Sequence, residues 1–142
     1  MKLSVLLLFA SFALAEINVS NNLPVPSTLA VTALSAANTA VTATLPLVSS
    51  NFHYITSIQI QRTCTAALVG SAALAFTTTN LPGSLAWTAG NACAVGTTNN
   101  DVTLSFNYPL KSSVVGTATT IVCPAAGAAV ICRITIIYYA AP

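Results

Sequence analysis

Residues 51–64, NFHYITSIQIQRTC, contain many of the side chains of this 142-residue chain that could take part in chemistry. They include the single histidine, His53, together with Arg62 and Cys64. Imidazole and thiol groups can take part in proton transfer, nucleophilic attack or metal binding. Each of these activities requires partner groups, so the rest of the chain decides whether this stretch is a site or a strand that carries a few polar residues.

Carboxylate partners are scarce, because the chain contains only Glu16 and Asp101. Glycoside hydrolysis typically uses two carboxylates, and Glu16 falls in a segment that predicts an extended arm. A triad of a serine with His53 and Asp101 can be written, but the G-x-S-x-G motif of a nucleophile elbow is absent. We therefore expect no catalytic residues, and we expect His53 to serve hydrogen bonding or packing.

Metal and cofactor sites are not expected either. The cysteines and His53 lack the clustered spacing of zinc ligands. Gly83 and Gly90 stand alone rather than in a phosphate-binding loop. Arg62 and Arg133 lie in predicted strands, where each can pair with a carboxylate or a backbone carbonyl. The expected partners therefore include no metal, cofactor or small-molecule substrate.

The low content of charged residues indicates which partners the surface of this protein can bind. Charged residues make up 4% of the sequence, against roughly 25% in soluble domains. The net charge of +2 comes from so few groups that nucleic-acid binding is not expected. Because net charge keeps like surfaces apart, a surface of Thr, Asn and Ala repels its own copies weakly. The composition predicts a protein packed against neighbours.

The four cysteines are an even number, which suits disulfides in an oxidising compartment. Three pairings are open. We favour Cys123 with Cys132, because they flank a predicted hairpin at PAAGAAVI, and Cys64 with Cys93. The alternative is four buried free thiols that act as small apolar side chains.

The start of the chain resembles a secretory signal. Residues 1–15 combine Lys2, an apolar run and an Ala13-Leu14-Ala15 cleavage pattern. The alternative is an uncleaved apolar arm. The composition of residues 16–27, EINVSNNLPVPS, predicts an extended linker or arm. This segment contains an N-glycosylation sequon at Asn18.

Residues 28–142 predict a single β-sandwich domain. β-branched residues alternate with small or polar ones, which is typical of strands, and in residues 54–64 this places Ile58, Ile60 and Arg62 on one face. No segment has the pattern of a surface helix. We predict an all-β fold, an antiparallel β-sandwich of seven or eight strands. The predicted strands are 28–34, 39–48, 54–64, 72–80, 101–108, 118–123 and 129–139.

Several segments, in their order and spacing, resemble a family of small tailed-phage virion proteins. These segments are FHYITSIQIQRT, TAALVGSAALAFTTTNLPG, LAWTAGNA, PLKSSVVGTATTIVCPA and RITIIYY. The resemblance covers about residues 52–139, and it implies a jelly-roll-like structural module of a phage particle without catalytic residues. The chain departs from the family at its signal-like start and at three of its cysteines, where the family has small or apolar residues.

The first functional hypothesis is therefore a structural protein of a virus particle: a capsid decoration, head fibre or minor capsid subunit. Such a subunit would form homo-oligomers, and a trimer would suit a capsid site. Extended arms such as residues 16–50 would add strands to the sheets of neighbours. The alternative is a secreted filament or surface-layer subunit, which the signal-like start and the cysteines favour. The expected location is the virion in the first case and the cell exterior in the second.

A carbohydrate-binding module is the second alternative. It would need Trp87 and a tyrosine exposed together on one sheet face. Aromatic residues more often fill a sandwich core or a subunit contact. The candidate assembly contacts are His53, Trp87, Tyr138 and Tyr139.

Overall fold

The computed structural model describes residues 27–68 and 73–142. The signal-like segment 1–15, nearly all of the arm 16–27 and the sequon at Asn18 lie outside the described residues. The described chain forms eight strands and one short 3-10 turn, Pro82–Ser84. The strands are β1 (Leu29–Leu34), β2 (Val41–Leu45), β3 (Phe52–Cys64), β4 (Leu74–Thr79), β5 (Trp87–Ala89), β6 (Thr98–Lys111), β7 (Thr119–Cys123) and β8 (Val130–Ala141).

The strands form two antiparallel four-stranded sheets. Sheet A has the order β1-β8-β3-β6, and sheet B has the order β2-β7-β4-β5. Within them β1 pairs with β8, β2 with β7, β3 with β6 and β4 with β5. The first strand thus pairs with the last, the second with the seventh, and so on inward. A long antiparallel ribbon that is rolled into a sandwich has this nested pairing. The protein is therefore an eight-stranded jelly roll, which confirms the predicted all-β sandwich.

The core lies between the sheets and is filled by the inward side chains of alternate residues. Ile60, Ile134 and Ile136 in sheet A are fully buried, and Phe76 and Ile121 cover them from sheet B. β-branched and aromatic residues suit such a half-buried pleated surface. The alternation that predicted the strands from sequence is the pattern of this burial.

Two β-bulges interrupt the pairing of β3 with β6. The first lies between Ile55 and Ser57, and the second lies where Ile60 pairs with Val102 but Gln61 pairs with Asn100. An extra residue on one strand shifts the inward and outward alternation beyond it. Each bulge therefore turns a side chain inward that strict alternation would place outside.

All seven predicted strands are present, and the structure adds β5, which the sequence analysis did not predict. Two other expectations were wrong. PAAGAAVI is not a hairpin, because β7 and β8 lie in different sheets and the segment crosses between them. Residues 29–45 are not part of an arm, because β1 and β2 pair within the sandwich of the same chain.

Within residues 27–68 and 73–142, no helix is long and apolar enough to cross a membrane.

Candidate functional site

The Arg62 side chain is the centre of a buried polar cluster at one end of the sandwich. Its Nε and one terminal nitrogen both donate to the Asp101 carboxylate, the latter bond measuring 2.8 Å. The same terminal nitrogen donates to the Gly90 carbonyl at 2.6 Å, and the other donates to the Asn91 side-chain oxygen at 3.2 Å. This two-pronged geometry is the strong form of an arginine–carboxylate pair.

The second β-bulge makes this pair possible. Val102 faces the core, so strict alternation would turn Asp101 to the solvent. The bulge turns the carboxylate inward as well, where only 5% of the Asp101 side chain and 1% of the Arg62 side chain remain accessible. A buried charge needs such a partner. The ion pair, with the bonds from Arg62 to Gly90 and Asn91, therefore ties β3 and β6 to the segment after β5.

The cluster anchors the loop between β5 and β6. Besides the bonds to Gly90 and Asn91, a disulfide joins Cys64 at the end of β3 to Cys93 in this loop. Asn99 adds a hydrogen bond from its side chain to the Ala92 carbonyl at 3.1 Å. The ion pair and the disulfide thus hold a loop without regular structure against the end of sheet A.

His53 lies in a second buried cluster, at the opposite end of β3. Its Nε2 is 2.9 Å from the Pro46 carbonyl and its Nδ1 is 2.8 Å from the Thr119 hydroxyl. A carbonyl can only accept, so Nε2 carries a hydrogen and donates to Pro46, while Nδ1 shares a hydrogen bond with the Thr119 hydroxyl. Asn80 in turn donates to the Thr119 oxygen at 3.1 Å. The ring therefore connects the segment after β2 to the starts of β3 and β7 and the end of β4.

A Ser-His-Asp triad is excluded by these positions. His53 lies near one end of β3, and Arg62, which binds Asp101, lies near the other. At roughly 3.3 Å per strand residue, about 30 Å separate the two clusters. Each group is also saturated by its own structural partners, as described above.

Two of the expected assembly contacts are corrected by burial. His53 is 1% exposed and Tyr138 is 4% exposed, so neither side chain can reach a neighbouring subunit. The His53 and Tyr138 rings pack in a T-shaped arrangement, with 5.6 Å between ring centroids. The bulge between Ile55 and Ser57 explains why the His53 side chain is buried. It reverses the alternation that places Ile58 and Ile60 inside.

Replacing His53 by Ala should therefore destabilise the folded protomer rather than affect assembly alone. We expect a loss of about 2–3 kcal/mol, from a cavity and from the lost partners of Pro46 and Thr119. Urea unfolding followed by circular dichroism measures it. Gln59→Ala, on the outward side of the same strand, is the matched control and should change the stability by less than about 1 kcal/mol. Equal midpoints for the two variants would contradict the burial of the ring.

Two disulfides, Cys64–Cys93 and Cys123–Cys132, account for all four cysteines. This is the pairing that the sequence analysis favoured. Cys123 ends β7 in sheet B and Cys132 lies in β8 of sheet A, so the second bond staples the two sheets. Each disulfide typically contributes about 2–4 kcal/mol to a domain of this kind. Among the described residues, no group of three or more His, Cys, Asp or Glu side chains is placed to hold a metal ion.

The remaining candidate site is the solvent-facing side of sheet A, which we call the outer face. Its side chains are small, hydroxylic, amidic or apolar, and its charged members are Lys111 and Arg133. It consists of Ala30, Thr32 and Leu34 of β1, Ile131, Arg133, Thr135, Ile137 and Tyr139 of β8, Tyr54, Ser57, Gln59, Gln61 and Thr63 of β3, and Thr98, Asn100, Thr103, Ser105 and Lys111 of β6.

One end of the outer face is aromatic. The Tyr54 and Tyr139 rings stack in parallel with centroids 5.0 Å apart. The Lys111 ammonium lies 3.7 Å from the centroid of the Phe52 ring, a cation–π contact. These half-buried rings form a patch beside Pro142, whose carbonyl accepts from the Tyr54 hydroxyl at 3.3 Å.

The other end of the outer face carries a shallow depression of about 500 Å³. Its lining has no acidic group and includes none of the residues of the two buried clusters. Aliphatic, amide and hydroxyl groups with one guanidinium suit contact with another protein surface better than chemistry on a small substrate. The lining residues are Leu34, Gln61, Thr63, Thr98, Ile131 and Arg133.

Trp87 does not form a sugar-stacking surface with a tyrosine. It lies in β5 of sheet B and packs against the core. All four tyrosines belong to strands of sheet A, and among them Tyr108, at 91% exposed, projects from the irregular part of β6. The aromatic arrangement that a carbohydrate-binding module would need is therefore not formed by these residues.

Comparison with models of protein families and with curated proteins finds no match for this chain.

Proposed function

We propose that this protein is a non-enzymatic structural subunit of a virus particle, such as a capsid decoration, head fibre or minor capsid subunit, that acts through self-assembly. The observation that carries the proposal is the outer face of sheet A, a four-stranded surface with two charged side chains, Lys111 and Arg133. Little charge has to be desolvated or paired when such a face is covered.

The fold and the buried clusters support the same function. Jelly rolls are the building blocks of many viral capsids, although they also occur in lectins. Fold alone does not define function, so the use of the polar residues is the stronger argument. The ionisable side chains of Arg62, Asp101 and His53 all form hydrogen bonds that hold the ends of the sandwich together. The protein can then interact through the shape of its surface and through uncharged side chains. Such contacts would form a homo-oligomer, and a trimer would suit a capsid site.

A secreted filament or surface-layer subunit is the second candidate, and the two disulfides favour it. Disulfides persist in oxidising compartments and are rare in the cytosol, where phage particles assemble. The same uncharged face would serve assembly outside a cell.

The test is to purify particles from the source by density gradient and identify their proteins by mass spectrometry with N-terminal sequencing. We expect this chain in a fixed ratio to the major capsid protein, retained after salt washes, with Met1 or a residue close to it as the first residue. Recovery only from cell surfaces or filaments, as a chain that begins at Glu16, would overturn the virion proposal in favour of the second candidate.

A further inference from the structure

The four edge strands of the sandwich differ in how well they are protected against pairing with another chain. An edge strand exposes unpaired backbone N–H and C=O groups, and proteins guard such edges with charges, proline, bulges or shortness. β5 is three residues long. β6 contains two bulges and the residues Asp101, Pro109 and Lys111. β2 has five residues and is followed at once by Pro46.

β1 is one residue longer than β2 and lacks the protection of charge, proline or a bulge. Its sequence, LAVTAL, has no charge, proline or glycine, and no bulge interrupts its pairing with β8. No strand of residues 27–68 or 73–142 covers its other side. Leu29 is 46% exposed and Leu34 is 58% exposed, so the edge is also apolar. A strand edge without charge or proline carries nothing that opposes pairing with a copy of itself.

The backbone of β1 points its free groups outward at defined residues. The Ser35 amide donates to the carbonyl of Cys132 in the neighbouring β8, at 2.8 Å. Because successive residues of an antiparallel strand alternate in direction, Ala30, Thr32 and Leu34 turn their N–H and C=O groups to the open side.

We propose that β1 is an assembly edge that pairs antiparallel with β1 of a second copy of this chain, about a two-fold axis through Thr32. In this register Thr32 faces Thr32 of the other copy, and Ala30 faces Leu34. All three outward residues then find a partner within the strand, each pair exchanging two hydrogen bonds.

The side chains fit this register. A two-fold axis normal to the sheet keeps the outer faces of both copies on the same side, so outward residues meet outward residues. Thr opposite Thr is a favourable cross-strand pair, and Leu34 would cover Ala30. On the inner side Val31 would face Ala33, and no like charges oppose each other. The result is a continuous eight-stranded sheet whose outer face is twice as wide.

This inference specifies the partner of the self-assembly that we proposed above, and it rests on that proposed function. It concerns the β1 edge alone and leaves the outer face of sheet A available for contacts of other symmetry.

The first test is a cross-link in the full-length protein. In the proposed register two residues 32 lie about 5.5 Å apart between Cα atoms, within the range of a disulfide. All four native cysteines are already paired, so Thr32→Cys adds one free thiol. We expect mild oxidation to convert most of this variant to a covalent dimer, with a 32–32 linked peptide in the mass map. Thr77→Cys, an exposed residue of β4 in sheet B and off the outer face of sheet A, is the matched control and should remain a monomer on a denaturing gel.

The second test uses charge at the same position. Thr32→Lys and Thr32→Glu each place like charges opposite one another, so each should weaken dimerisation by at least roughly tenfold in light scattering. An equimolar mixture of the two should restore dimers, because opposite charges then face each other. Thr77→Lys, on the solvent-facing side of β4 in sheet B, should associate like the parent.

Other outcomes overturn the inference. If Thr32→Cys gives no 32–32 link, or if mixing the charge variants restores nothing, the edge binds something other than β1, for example the chain's own residues 16–26. A parent protein that is monomeric up to millimolar concentration also overturns it. The proposed virion role is judged separately, by the presence of the chain in purified particles.

Discussion

Ile60→Asp should unfold the protein under conditions in which the parent is fully folded. Ile60 is 0% exposed, and it lies between its register partners Val102 of β6 and Ile134 of β8 on the inner side of sheet A. A carboxylate there has no partner, since Arg62 is already saturated by Asp101. Burying it unpaired costs several kcal/mol, which is comparable to the whole stability of a small domain, about 5–15 kcal/mol.

The measurement is thermal and urea unfolding by circular dichroism, together with the yield of soluble protein. Gln59→Asp introduces the same carboxylate one residue earlier, on the outward side of β3, and should cost no more than about 1 kcal/mol. If Ile60→Asp melted like the parent, the assignment of inner and outer sides of β3 would be wrong, and with it the core.

Removing one member of the buried ion pair should have the second-largest effect. Asp101→Ala leaves the Arg62 guanidinium buried with a carbonyl and an amide oxygen as its only partners. Breaking a buried pair from one side typically costs about 3–5 kcal/mol. The loop that holds Gly90 and Asn91 should loosen at the same time, because Arg62 is its anchor.

The double variant Arg62→Met/Asp101→Leu separates charge from packing. A buried pair replaced by apolar residues of similar size is often neutral in stability, so the double variant should lose much less than the two single variants added together. Urea unfolding of the parent, both single variants and the double variant gives the coupling energy. Arg133→Met removes an exposed guanidinium of β8 and serves as the control, with an expected change below about 0.5 kcal/mol. Additive losses would show that the pair is not a unit.

The core could be predicted from sequence because alternation is a local property. Ile58, Ile60 and Ile134 are buried where period-two alternation places them. The same rule fails for His53 and Asp101, which strict alternation puts outside. His53 lies two residues before one bulge in the pairing of β3 with β6, and Asp101 is the unpaired residue of the other. A bulge depends on how two strands more than 30 residues apart match each other. The sequence of either strand alone carries no signal for it.

The chemistry of the candidate site divides in the same way. The scarcity of acids, one imidazole and an even number of cysteines are visible in the composition, and they predict a protein that assembles rather than reacts. The positions of Arg62 and Asp101 are not visible, because they lie 39 residues apart in the chain and meet only through sheet pairing. β5 was missed because three residues are too few to display a period.

The sequence by itself determined that this chain forms strands, which residues of most strands face the core, and that its surface carries almost no charge. Those properties depend on side-chain type and nearest neighbours along the chain. Only the tertiary structure decided the jelly-roll order, the inward turn of His53 and Asp101, and the one unprotected edge at β1. These depend on which strands pair and in which register, and the free energy of pairing comes from contacts between distant residues.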